Sequence, residues 1–453
     1  MHSKIILGAV FLSCFLKGVA QDSDGWISLF NGKDLTGFRQ LNGKAIYEAK
    51  NGEIVGTTVS NEPNSFLATT ETYGNFILEL ELFVDPSMNS GIQFRSQSIA
   101  SYKDGRVHGY QMEIDPSDRS WSGAIFDEGR RGWLYTLDLN PAAKTAFKNN
   151  QWNKYRIECI GSTIRTWVNG IATAHLIDDL TPEGFIALQV HAVKKNEAAG
   201  KQIRWRNIRI KTQKLKPSPY DNIFVANLIP NNLSVQEQQN GFTMLWDGKT
   251  TNGWQGITKN TFPADRWKIK DGELMTIKAD NTGLVKGKDI VTTQEFGAFE
   301  LKFDFKLSAG ASSGVQYFVA ASKGKNGQVP GLEYQIVDDD KHADAKAGKN
   351  GNHTLGSLYD LIAPVISDER FIRKAGEWNE GIVKVQPDNK VAYWLNGIKV
   401  LEFIKGSQEY LNLVRQSQFS KVENFGKVSK GKILLQDGGD NVAFRSIKIR
   451  KLN

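Results

Sequence analysis

Cysteine is almost missing from this chain. Two occur in 453 residues, Cys14 and Cys159, too few for a disulfide framework or a cysteine zinc site. Cys159 alternates with Tyr155 and Ile157 in a strand-like run and reads as a buried core thiol. Proline is sparse, at 12. After Ala20 no segment approaches the ~20 apolar residues of a membrane-spanning helix. Charge is not concentrated either. The formal net charge is +8, but Lys and Arg form no long blocks, so no nucleic-acid partner is expected. Three catalytic signatures are also missing. They are the Gly-x-Ser-x-Gly elbow, the His-Glu-x-x-His zinc motif and the ligand pattern of an EF-hand.

What is present points to β structure. Glycine reaches 43 residues and aromatics 10%. Many glycines with many aromatics suit turn-rich sheets better than helical bundles. The first residues read as an export signal: Lys4, an apolar run from Ile5 to Phe15, then the small residues Gly18, Val19 and Ala20 before Gln21. The expected location is therefore periplasmic, cell-surface or secreted. A lipid anchor at Cys14 stays open because Leu12–Ser13 precedes it, although Phe15 and Leu16 follow.

The sequence contains itself twice, in unchanged order. Ser28–Phe38 (SLFNGKDLTGF) resembles Met244–Trp254 (MLWDGKTTNGW), and Asn89–Phe94 (NSGIQF) resembles Ser312–Tyr317 (SSGVQY). Trp167–Gly170 (WVNG) pairs with Trp394–Gly397 (WLNG), Ile186–Gln189 with Ile433–Gln436, and Trp205–Ile210 with Phe444–Ile449. Solenoid repeats run ~20–50 residues, so a period this long means duplicated domains. The expected layout is a signal at 1–20, a first domain at 21–212, a linker at 213–241 containing Pro217, Pro219 and Pro230, and a second domain at 242–453.

Each copy reads as strands. In Phe299–Leu307 the apolar residues Phe299, Leu301, Phe303, Phe305 and Leu307 alternate with Glu300, Lys302, Asp304 and Lys306. That is period two, with one face buried and one wet. Leu78, Leu80, Leu82 and Val84 repeat it, opposite Glu79 and Glu81. Asn169–Gly170 and Asn396–Gly397 each sit between apolar runs, a strong hairpin signal. An all-β fold of two tandem β-sandwich domains follows.

Two strands are polar on one face. In Gly109–Asp115 the alternation puts Gln111, Glu113 and Asp115 together, and in Gly331–Val337 it joins Glu333 with Gln335. Neighbouring runs add Gln93, Arg95, Gln316, Gln189, His191 and Gln436. If these strands are neighbours, a concave face gathers amides and carboxylates, which suits a sugar whose hydroxyls donate and accept. Trp121, Trp133, Trp378 and Trp394 are available for stacking. A plain solvated face explains single residues of this kind equally well. Two loops are denser: Asp338–His342 (DDDKH), and Asp127–Trp133 (DEGRRGW) with Arg130 and Arg131. His108, His175 and His353 read as isolated surface or packed histidines.

These motifs, taken as an ordered set, resemble the 3-keto-disaccharide hydrolase domain family in both copies. In the first they are FNGKDLTGF, NSGIQFR, GYQMEID, WSGAIFDEGRRGW, WVNG, IALQVH and WRNIRI. In the second they are GLEYQIVDDDKHADA, GSLYD, GEWN, YWLNG and FRSIKI. The resemblance implies a concanavalin A-like jelly roll and cleavage of glycosides whose sugar carries a ketone at C3. Such a ketone acidifies the C2 proton; a base removes it, and the C1 substituent leaves by β-elimination, with or without addition of water to the resulting enone. The site needs a base, an acid and donors or a divalent metal for the enolate oxygen. Base candidates are Glu333, Asp338 or His342 in the second copy, and Glu113 or Asp115 in the first. Gln316, Gln335, Tyr359 and Gln436 would orient the sugar in one copy, and Gln93, Gln111, Trp133 and Gln189 in the other. Arg95, Arg130 and Arg131 would stabilise the enolate, with His191 as an acid. A non-catalytic carbohydrate-binding protein and a conventional glycosidase, with carboxyls ~5–10 Å apart, are the alternatives.

Overall fold

The computed structural model describes residues 24–195, 197–277, 288–321, 328–366 and 371–452. The expected signal and Cys14 lie outside them. The chain divides into two units, residues 1–225 and 226–453. Each is built almost entirely of antiparallel strands in two sheets, the all-β two-domain sandwich expected from the alternation. Among the described residues no helix is long and apolar enough to cross a membrane.

In the first unit one sheet runs in the order Gly132–Tyr135, Ile125–Glu128, His108–Ile114, Ser90–Gln97, Phe185–Val190, Ser65–Thr69 and Phe38–Asn42. The other is centred on Asn153–Ile160, Phe76–Val84 and Gln202–Lys211. The second unit repeats this plan. Its first sheet contains Trp254–Gly256, Ile290–Thr292, Lys432–Leu435 and Ser312–Ala321, with Leu332–Val337 alongside. Its second is centred on Val442–Lys451, Phe299–Leu307 and Trp378–Val385.

Alternation is what fills the cores. Phe299, Leu301, Phe303 and Phe305 are fully buried, as are Tyr110, Met112 and Ile114 of the polar strand. Their neighbours on the other side of each strand are therefore turned away from the core. Cys159 is buried and unpaired, and burial pushes its thiol up to about 12. The hairpin signals are real turns: Asn169 and Gly170 have φ of 50° and 81°, and Asn396 and Gly397 have 48° and 81°. Positive φ at both positions is what a two-residue turn with matching strand twist demands.

A second shared device interrupts the central polar strand. Arg95 and Phe318 stand at matching places in the two copies, with φ of 45° and 62°. The pairing with Phe185–Val190 in the first unit and with Lys432–Leu435 in the second slips there. Gly184 and Gly431, also matching, press against these bulges. A Cβ on Gly184 would lie 2.5 Å from the Arg95 carbonyl carbon, and one on Gly431 2.6 Å from that of Phe318. After the bulge, Val319 joins Val291 and Leu434 in an apolar patch on the outer face, while Tyr317 and Phe318 both enter the core.

The stretch expected to be a linker is fastened. Arg165 donates to the carbonyls of Ser218 and Pro219, each at 2.7 Å, and pairs with Asp221. A short helix, Val235–Gln239, starts with a capping box between Ser234 and Glu237. Buried Glu237 then accepts from Lys448 Nζ at 2.8 Å.

Candidate active site

Strand Leu332–Val337 carries Glu333 and Gln335 on its outer face. Its partner Ser312–Ala321 places Gln316 opposite Glu333 and Gly314 opposite Gln335. Gly314 makes room for the acid, because a Cβ there would lie 2.1 Å from Glu333 Oε1. Gln316 Nε2 donates to Glu333 Oε2 at 3.0 Å. The Gln335 amide, oriented with its nitrogen toward the acceptors, donates to Glu333 Oε1 and to the Ser313 carbonyl, both at 3.2 Å. Gln436 follows Leu434 on the same face, its N–H donating to the Gly314 carbonyl at 3.0 Å.

The other flank of this strand is the segment Gly356–Asp360. Gly356 N–H donates to the Gln335 carbonyl at 2.9 Å, and Tyr359 N–H to the Glu333 carbonyl at 3.1 Å. Tyr359 therefore emerges beside Glu333. Its ring lies 4.4 Å from the imidazole of His353. His353 is held between two carboxylates, Nδ1 to Asp344 at 3.0 Å and Nε2 to Asp360 at 3.2 Å. The two acids sit at opposite ends of the ring, so they cannot converge with it on one cation. Among the described residues no group of three or more His, Cys, Asp or Glu side chains is placed to hold a metal.

The electrostatics follow from burial. Glu333 is 8% exposed. Burial raises its carboxyl to about 8; Asp289 and Asp344 push the same way and the Gln316 donor opposes them. Tyr359 is raised to about 12, by burial first and then by the charge of Asp344. A carboxyl that titrates near neutrality beside a phenol that stays protonated can move one proton and donate another.

The first unit builds a related face differently. Gln93 and Gln111 are cross-strand partners, and Glu113 lies opposite Gly91. A hydrogen-bond chain runs from Ser96 Oγ to Gln93 Oε1 (2.7 Å), from Gln93 Nε2 to Gln111 Oε1 (2.6 Å) and from Gln111 Nε2 to Glu113 Oε2 (3.1 Å). Asn89 donates to Glu113 Oε1 at 2.7 Å. Arg119 reaches Glu113 at 3.4 Å and Asp115 at 2.7 Å. Burial raises Glu113 to about 7 against the donors Asn89 and Gln111. The segment Gly123–Asp127 matches Gly356–Asp360, but Phe126 stands where the second unit has Tyr359, so this face lacks the phenol.

Several expected residues lie elsewhere. Arg95 sits on the bulge, 1% exposed, and spends its guanidinium on the carbonyls of Gly74 and Gly161. Arg130 and Arg131 pair with Asp127, which is in register with core-facing Tyr110. Alternation thus puts Asp127 on the side opposite Gln111 and Glu113, and both arginines reach it there. Asp338 accepts from the Gly310 and Asp340 N–H groups and shapes a turn. Asp115 does the same for Ser117 and Trp121 while holding Arg119. His342 accepts from Asp344 N–H at 3.2 Å. His191 is exposed just past its strand, its ring against the Ala192 carbonyl. Trp378 lies under Lys306 and Arg445 on the other sheet. Trp394 shares that sheet and faces away from the core that its neighbour Tyr393 enters.

His353, Asp344, Asn89 and Arg119 are the site residues that sequence reasoning missed. For His353 the available signal was its place between Asp344 and Asp360, which only a fold brings to the two ring nitrogens.

A model of the 3-keto-alpha-glucoside-1,2-lyase-like domain matches residues 25–211 and again 241–450. A 3-keto-disaccharide hydrolase of Bacteroides thetaiotaomicron is 32% identical over 247 residues, covering 49% of this chain and 82% of that protein. A Parabacteroides distasonis structure assigned to the glycosyl hydrolases is 29% identical, with a TM-score of 0.43, over 50% of this chain and all of the other. A carbohydrate-binding module of Bacillus subtilis is 16% identical, with a TM-score of 0.30, over 39% of this chain and 96% of the module.

Proposed function

The chain belongs to the family of the 3-keto-alpha-glucoside-1,2-lyase-like domain, and on that premise we propose that it cleaves 3-keto-disaccharides at the Glu333 face of its second unit. The observation that carries the placement is the pairing of buried Glu333 with Tyr359, which the first unit lacks. The similar Bacteroides protein, a 3-keto-disaccharide hydrolase by name, supports the substrate class.

The reaction proceeds in two stages. Glu333, as carboxylate, takes the proton from C2 and leaves an enolate on C2, C3 and the C3 oxygen. The C2 electrons then form the C1–C2 double bond while the C1–oxygen bond breaks. The departing oxygen takes a proton from the Tyr359 hydroxyl, giving an alcohol and an enone. Between the stages the Glu333 carboxyl exchanges its proton with solvent; water then adds its oxygen to C1 and gives its proton to the Tyr359 phenolate, while Glu333 delivers a proton to C2. The sum is hydrolysis with no oxocarbenium ion. Gln316, Gln335 and Gln436 orient the ring. His353 is a positioning residue, which holds the Tyr359 ring by a tilted ring contact and is itself clamped by Asp344 and Asp360. The expected signal at 1–20 supports a reaction outside the cytoplasm.

The test incubates the purified chain with a glucose disaccharide and with its 3-keto form in deuterated water. Release from the keto form alone, with deuterium at C2 of the product, is expected. Equal release from the ordinary disaccharide, or product without deuterium, would overturn the proposal.

A further inference from the structure

The outer face of the first unit keeps amides and a buried carboxyl, Glu113, but lacks a phenol beside them. Phe126 replaces the phenol. The additions are aromatic and cationic. Half-buried Trp133 packs edge-on against Trp121 and Phe126, with ring centres 4.8 and 4.9 Å apart. The Arg119 guanidinium lies 4.6 Å from the Trp121 ring centre and 5.1 Å from that of Trp133. Its side chain is still 34% exposed.

One polar atom on this face is unsatisfied. Gln189 is in register with Phe66, and two residues before it Ala187 lies opposite Gln93, so Gln189 shares their outer face. It is 1% exposed, and its amide oxygen is buried with no hydrogen-bond partner among the described residues. Buried acceptors are nearly always paired, because leaving one unpaired costs the fold its desolvation. The missing partner has to be a donor. A sugar hydroxyl is one, whereas a C3 ketone only accepts.

We infer that the first unit carries a second saccharide site, which binds an unoxidised pyranoside through Gln189, Gln93, Arg119 and Trp133 without cleaving it. The inference rests on the second unit being the one that turns over. The two faces then have opposite preferences: the second takes the ketone, and the first takes the hydroxyl that the ketone replaces. Such a site holds the enzyme on the pool of ordinary glycosides from which an oxidation at C3 must supply its substrate.

The experiment uses the full chain as Glu333→Gln, so that nothing is consumed. Maltose is titrated while tryptophan fluorescence is followed, and the titration is repeated with Gln189→Leu and with Trp133→Leu added. Saturable binding is expected, weakened about tenfold or more by Gln189→Leu. Trp133→Leu should weaken it too, which covers the case in which the Gln189 variant does not fold. The 3-keto disaccharide should bind this site more weakly than maltose. No saturable binding of maltose, or equal affinity in both variants, overturns the inference. If these results hold but the native chain releases nothing from the keto substrate, the proposed reaction fails and the second site stands. If Gln189→Leu abolishes keto-substrate cleavage while Glu333→Gln retains it, the units have exchanged roles and the inference falls.

Discussion

The Tyr359 N–H donates to the Glu333 carbonyl at 3.1 Å, which sets a buried acid and a half-buried phenol side by side on one sheet face. Glu333 is fixed within its strand, and the turn that carries Tyr359 is fastened to that strand by this bond and by Gly356 N–H on the Gln335 carbonyl.

Glu333→Gln should reduce release from a 3-keto-disaccharide by about 10²–10⁴-fold, the usual worth of a positioned proton carrier. The amide fits the same space, between Gln316 and Gln335, so the fold should survive. The stability change has a definite sign. The carboxyl titrates at about 8 in the folded chain against an ordinary value of 4.5. Its contribution is fully present below about pH 4.5 and is lost as pH rises through 8. The variant should therefore match the native chain in thermal unfolding at pH 4 and exceed it at pH 9, by an amount on the order of 2 kcal/mol or more.

The pH dependence of kcat/KM should rise with a midpoint near 8, where Glu333 becomes a carboxylate. It should fall again only toward 12, as Tyr359 loses its proton. A profile already flat from pH 5 upward would remove Glu333 as the base.

Tyr359→Phe copies Phe126 of the first unit and keeps the ring against His353. Loss of kcat by about 10²-fold with little change in KM is expected from removal of the acid alone. The deficit should shrink for substrates with better leaving groups, which need less protonation. His353→Ala should lower kcat less and should shift the alkaline limb, because it disturbs the Tyr359 ring and the charge around it.

Gly314→Ala places a methyl group 2.1 Å from Glu333 Oε1. The carboxylate must swing away, so turnover should collapse while circular dichroism stays native. Gly431→Ala instead meets the backbone of Phe318 at 2.6 Å and cannot be relieved by a side chain. It should cost about 1–3 kcal/mol in denaturant unfolding, with activity following stability.

Lys448→Met leaves Glu237 buried with its main partner removed. A broken buried pair costs about 3–5 kcal/mol, so the midpoint of unfolding should drop sharply. The loss should ease below pH 4, where Glu237, held at about 2 by Lys448 and Lys302 in the native chain, can take up a proton once Lys448 is gone.

Much of the fold was legible because it is written in alternation. Phe299–Leu307 has period two and its odd positions are buried; Asn169–Gly170 announces its turn. The polar strands were legible for the same reason, which is how Glu333, Gln335, Gln316, Glu113 and Gln111 were found. What alternation does not carry is where loops return. His342 and Asp338 are dense in sequence but turn outward or serve backbone N–H groups. His353, unremarkable in sequence, is brought between Asp344 and Asp360. The arginines failed for a related reason. Arg95 lies on a bulge, so parity counted along a straight strand assigns it to the wrong side, while Arg130 and Arg131, read as members of a dense loop, turn to Asp127.

That bulge has a consequence for how the strand can change over time. Tyr317 and Phe318 both turn inward, so Gln316 and Val319 face outward three residues apart instead of two. The strand behaves like a text with one letter out of frame: upstream it spells the reactive half of the face, downstream the greasy half. Substitutions on either side can be tried independently, as the two copies have done downstream with Val319 and Ser96. Deleting the single residue at the step would turn every downstream side chain over at once. The site can therefore drift in chemistry while its frame cannot drift in length.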